Sequence, residues 1–204
     1  MSEKQDNVTK LLIKIRNKII TVFGDIKINK HFPWIPYYKP QGYQVNGKHV
    51  RELLGTCQPG DVLLRGFTDY FDGLFIVSWS HAGLVYSETE VIHSMAEGVF
   101  IEDILHFFRT DRVCVLRPSL NSEGLVDVLK TAENYKGTPY DFGFNFNNPK
   151  EVSCSEFVYL CFEKYWKELG MYKDTEKFLF IEKQTVRPAL FLKFPGFKEI
   201  LRVP

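Results

Sequence analysis

Three apolar runs follow one another between residues 80 and 103, SHAGLVY, EVIHS and GVFIED, separated only by SET and MAE. Gaps this short leave no room for a crossover, so neighbouring strands must reverse and pair antiparallel. Two further strands are expected at VLLR (62–65) and RVCVLRP (112–118), and another near the C-terminus at FKEILRV. Helical spacing is expected in HVRELL, over roughly 122–135 and over 154–169, whereas TDYFDGLFIVS reads as helical or irregular. GTPYDFGFNFNNPKE is turn-rich. Strands and helices in this order describe an α+β fold, with the antiparallel strands forming a sheet or barrel.

With 204 residues the chain builds one sizeable core and an appendage: residues 1–50 as the appendage and 51–204 as the main domain. Residues 8–23 place Leu12, Ile15, Ile19, Val22 and Phe23 at helical spacing among Lys10, Lys14, Arg16 and Lys18. Packing of this basic helix on the domain is expected ahead of membrane-surface contact, because it lacks Trp and a second anchoring signal. Residues 30–47, rich in Pro, Gly and aromatics, are expected as an extended connection. The N-terminus has the pattern of neither a signal peptide nor a membrane span, and a cytoplasmic location is expected. A net charge of +1, with no basic run among aromatics, argues against nucleic acid as a partner.

The four cysteines, Cys57, Cys114, Cys154 and Cys161, follow no zinc-finger or C-x-x-C spacing and are expected as free thiols. Ser153-Cys154-Ser155-Glu156 fits a capping box, S-x-x-E, with Val152 and Phe157 placed for a hydrophobic staple. Cys154 then becomes the first residue of a helix, where the dipole favours a thiolate and unpaired N–H groups can face an oxyanion. Cys161, two turns on, falls on the apolar stripe and reads as core, as do Cys57 and Cys114. A helix-start cysteine without a base is weak evidence for catalysis, and packing is the plainer reading.

A base would have to come from His31, His49, His81, His93 or His106. His81 and His93 stand at equal distances from Ser87 in the expected hairpin, which makes them cross-strand partners on one face; a turn shifted by one residue would make them diagonal neighbours. Such a pair suits a base and the group that orients it. Two satisfied strand histidines are the plain alternative, and a metal site of His81, His93 and Cys154 ranks below the triad for want of an obvious local carboxylate ligand or close ligand spacing. No metal and no cofactor is expected.

Pro59-Gly60-Asp61-Val62-Leu63-Leu64, Ser80-His81-Ala82-Gly83, Val91-Ile92-His93, Gly137-Thr138-Pro139-Tyr140-Asp141-Phe142 and Ser153-Cys154-Ser155-Glu156-Phe157-Val158 together resemble the NlpC-type cysteine peptidases. The resemblance is closer to their circularly permuted branch, which includes YiiX-like proteins and lecithin retinol acyltransferase-like enzymes, because His81 precedes Cys154. It covers residues 59 to about 190. It implies a papain-like fold with the cysteine helix packed on an antiparallel sheet, Cys154 as nucleophile, His81 as base, His93 as third polar residue and Tyr140 near the oxyanion. YiiX-like members often carry Glu at the third position, and acyltransferase-like members His. The usual D-C-S-G is S-C-S-E here. The implied chemistry is hydrolysis of an amide in a cell-wall-type peptide, with a lipid-like acyl substrate, acyl transfer, or a non-catalytic binding role as alternatives.

Overall fold

The computed structural model of the protein describes residues 26–28, 36–38, 42–68, 71–72, 75–76, 78–143, 146, 148, 150–178 and 181–204. The chain forms two compact units, residues 1–43 and 44–204. In the first, strands β1 (Ile26–Ile28) and β2 (Pro36–Tyr38) pair antiparallel. The basic stretch 8–23 lies outside the described residues.

The second unit opens with helix α1 (Gly47–Thr56), capped by Asn46, whose side chain accepts from the Lys48 and His49 N–H groups. Its strands are β3 (Val62–Gly66), β4 (Phe71–Asp72), β5 (Phe75–Ile76), β6 (His81–Val85), β7 (Glu90–Met95), β8 (Gly98–Asp103), β9 (Arg112–Pro118), β10 (Asp174–Phe178), β11 (Ile181–Thr185) and β12 (Phe197–Val203). The remaining helices are α2 (Ile104–Phe107), α3 (Ser122–Asn134) and α4 (Cys154–Cys161). Six strands form one open sheet in the order β12-β9-β3-β6-β7-β8, every neighbour antiparallel. The barrel alternative is set aside: among the described residues the sheet does not close, and β12 and β8 are its edges.

Side-chain alternation divides the sheet into two apolar faces. Val62, Leu64, Ala82, Leu84, Ile92, Cys114 and Leu116 face a core shared with Phe157, Val158 and Cys161 of α4 and Val128 and Ala132 of α3. Leu63, Val85, Val91, Val113 and Val115 face the other way, onto Leu53 of α1 and Phe107 and Phe108. Buried Asp61 is held by Arg117 at 2.8 Å and accepts from the Gln58 N–H, which pins the PGD turn to β9.

Two local expectations are corrected. TDYFDGLFIVS, read as helical or irregular, contains the short β4–β5 ladder. The helix expected over 154–169 stops at Cys161, where the Phe162 N–H turns to the Tyr159 carbonyl and a 3-10 turn, Glu163–Tyr165, follows. Trp166 Nε1 also donates to the Tyr159 carbonyl at 2.8 Å, a side-chain partner at the helix end that no local spacing announces. The β10–β11 hairpin was not anticipated.

Candidate active site

Cys154 is the first residue of α4, as the capping box requires: the box forms, and the Ser153 N–H donates to Glu156 Oε2 at 3.2 Å. Val152 and Phe157, the expected staple, are both buried in the same core. The segment leading into the helix is tied down twice, by Ser94 Oγ donating to the Val152 carbonyl at 2.8 Å and by the Val152 N–H donating to Pro139. Pro139 belongs to the GTPY turn, which is itself stitched to β8: Gly137 N–H donates to the Val99 carbonyl and Val99 N–H to the Thr138 carbonyl, both at 2.8 Å. Gly98 makes that approach feasible. Its φ is +100°, and a Cβ there would meet the Thr138 oxygen at 2.6 Å.

The result is a sulfur surrounded by donors. The Ala82 and Ser155 N–H groups, the Ser155 side chain and the Tyr140 hydroxyl all act on the Cys154 thiol and favour its anion, yet burial outweighs them and pushes the thiol above its ordinary 9.0. Ala82 is the residue after His81. Cys154 therefore lies against the backbone of β6 beside the candidate base.

His81 and His93 come together, but diagonally. The β6–β7 register pairs Leu84 with Ile92 and Val85 with Val91, so the turn centres one residue later than Ser87. That turn is closed by Ser87 Oγ donating to Glu90 Oε2 at 2.8 Å and the Tyr86 N–H donating to the Glu90 carbonyl. The direct cross-strand pairing is thus corrected to its diagonal variant, and the rings still meet: His81 Nε2 and His93 Nδ1 are 2.8 Å apart, in an edge-on arrangement. Gly83 leaves the space, since a Cβ there would press on Phe107, Val91 and His93.

Both imidazoles lie on the Phe107 face of the sheet, with ring centroids 5.7 Å from it, while α4 covers the opposite face. Among the described residues no hydrogen bond joins the Cys154 thiol to His81; the two approach from opposite sides at the start of β6, next to Ala82. Burial holds His81 well below 6.5, and the Arg65 guanidinium adds to this. His93 is fully buried and is lowered too, with Glu102 pulling partly back.

Two neighbours escaped the motif reading. Glu102 on β8 brings Oε1 to 3.1 Å from His93 Nε2. Arg65, on β3 opposite His81, lies 4.7 Å over the Phe107 ring and donates to Met95 Sδ at 3.4 Å. Period-two alternation from His93 across to GVFIED would have placed Glu102 on the same face, given the register. The other cysteines lack this set of donors: burial raises Cys161 well above 9.0 against one backbone hydrogen bond, and raises Cys57 and Cys114 to about 12, with Arg117 and Arg202 pulling partly back.

A mixed fold with an antiparallel sheet, a helix-start cysteine and a strand-borne histidine pair defines a papain-like class in permuted order. Residues 56–201 match the permuted papain-like amidase family, YaeF/YiiX, C92, and the chain belongs to that family. Among solved structures, that of the metalloprotein yiiX from Escherichia coli O157:H7 is similar, with a TM-score of 0.56 and 19% identity over 72% of this chain and 97% of that one. No curated protein matches. Among the described residues no helix is long and apolar enough to cross a membrane.

Proposed function

We propose that this protein is a thiol amidase in which Cys154 is the nucleophile, His81 its base and His93 the group that orients the base. The observation that carries this reading is the buried His81–His93 hydrogen bond, next to the Ala82 amide that faces the Cys154 sulfur. His81 Nε2 is engaged by His93, which leaves Nδ1 as the atom for proton transfer. The thiol gives its proton to Nδ1 as sulfur bonds to the acyl carbon. The oxyanion is met by the Cys154 N–H and the Tyr140 hydroxyl. Collapse breaks the C–N bond, the Nδ1 proton leaves with the amine, and water hydrolyses the thioester. Burial favours the neutral thiol and neutral imidazole, so the resting pair is uncharged rather than a preformed thiolate and imidazolium. Substrate binding is assigned the task of closing the thiol–imidazole gap, as catalytic hydrogen bonds often tighten only in the complex.

Family membership supports an amide as the scissile bond, and a peptide or isopeptide of the cell-wall type is the first substrate class. A lipid-like acyl donor is the second reading. It is favoured by Phe142, which is 56% exposed and packs at 4.9 Å on Tyr140 beside the thiol. Metal ligation, of interest because yiiX is described as a metalloprotein, fits less well. The facing nitrogens of His81 and His93 are spent on each other, and among the described residues no group of three His, Cys, Asp or Glu side chains has ligating geometry.

The test is selective alkylation. Iodoacetamide should modify Cys154 at least about tenfold faster than Cys57, Cys114 or Cys161, and His81→Ala should abolish the excess. Equal rates at all four thiols would sink the catalytic reading. Release of free amine from murein-type peptides would select the peptide substrate; a fatty acyl thioester on Cys154 without such release would select the lipid.

A further inference from the structure

Beyond the two imidazoles, a carboxylate completes the row. Glu102 projects from β8 on the face that carries His93, one strand further from β6. Its Oε1 lies 3.1 Å from His93 Nε2, an atom that is fully buried and has no in-line hydrogen bond. A bare ring nitrogen so placed would set its lone pair against a carboxylate in a low-dielectric pocket, a repulsive contact. A proton on Nε2 turns the same contact into attraction. Burial keeps His93 neutral, so a proton on Nε2 leaves Nδ1 bare. Nδ1 is 2.8 Å from His81 Nε2, and two bare nitrogens cannot share that distance. The proton between them belongs to His81 Nε2. His81, also neutral, is then bare at Nδ1.

We infer that Glu102 is a positioning residue that fixes the tautomers of both histidines in series, and so makes His81 Nδ1 the basic atom. This rests on the reading of His81 as base and extends it by two bonds. Partial burial works to raise the Glu102 carboxyl, but His93, Arg65 and His106 outweigh it and the net direction is down, which keeps the carboxylate charged. His106 Nδ1 lies 3.9 Å from the second Glu102 oxygen, on the exposed side.

Imidazole nitrogen shifts of the full chain labelled with 15N-histidine, assigned with His81→Gln and His93→Gln, decide the matter without substrate. The wild type should show both rings protonated at Nε2 and bare at Nδ1. Glu102→Gln keeps an oxygen acceptor and should retain that pattern, with Cys154 alkylation within about threefold of wild type. Glu102→Ala should mix the tautomers and slow Cys154 alkylation by roughly 10²-fold, the lower end of what general-base assistance supplies. Unchanged tautomers and an unchanged alkylation rate in Glu102→Ala, with Glu102→Gln folded and native-like, would overturn the inference. If His81→Ala leaves alkylation unaltered, the catalytic reading falls instead, and the nitrogen shifts still decide whether Glu102 orders the pair.

Discussion

Four thiols on one chain share a single electrostatic tendency, because burial raises each of them. What distinguishes Cys154 is its company of N–H and hydroxyl donors, supplied by Ala82, Ser155 and Tyr140. Cys161 sits two turns along the same helix, where burial dominates and its own backbone N–H is the one opposing donor. The neutral resting pair has a kinetic consequence. Since the folded state favours the protonated thiol, the thiolate fraction grows only as pH rises toward and beyond 9.0. The alkylation rate of Cys154 should therefore climb through the alkaline range, without the plateau from about pH 5–6 that an ion pair with a strongly depressed thiol would show. A rate profile of alkylation against pH measures this directly.

At the scale of elements, the site depends on two backbone devices. One is the Ser153–Glu156 box, which starts α4 at Cys154. Burial raises the Glu156 carboxyl and Asp141 adds to this, while the Ser153 N–H stabilises the charge. Glu156→Ala should cost about 1 kcal/mol in urea unfolding, and Glu156→Gln distinctly less, because an amide oxygen can still accept from Ser153. The other device is the contact between the β7–β8 turn and the GTPY turn. Gly98→Ala places a side chain at positive φ and against the Thr138 oxygen. A loss of about 1–3 kcal/mol is expected, together with a fall in Cys154 reactivity as Tyr140 and Val152 shift. A variant that is destabilised yet alkylates at the wild-type rate would show that the turn contact serves stability alone.

For the molecule as a whole, the buried histidines link stability to pH. His81 and His93 have folded values below 6.5, so the unfolded chain takes up their protons first as pH falls. Their contribution is present above about pH 6.5 and is lost on acidification toward the folded values. Melting temperature should drop as pH is lowered from 6.5, and His81→Gln should flatten the slope. An identical pH dependence in that variant would remove His81 from the account. Cys57 and Cys114, each raised to about 12, work in the opposite range: neutral-thiol stabilisation is lost as pH rises from about 9 to 12.

Much of this was readable along the chain. Alternating apolar runs with short gaps specified the antiparallel strands, and the S-x-x-E spacing placed Cys154 at a helix start, because both patterns are enforced by hydrogen bonding within a few residues. The order of His81, His93, Tyr140 and Cys154 pointed to the family. Tertiary structure decided what depends on register and on contacts between distant segments. A turn centred one residue later made the histidines diagonal, Trp166 met the end of α4, and only strand order brought Glu102 to His93. A one-residue change in register leaves local patterns almost untouched yet changes every cross-strand neighbour, which is why the partner of a side chain in a sheet belongs to the fold rather than to the sequence.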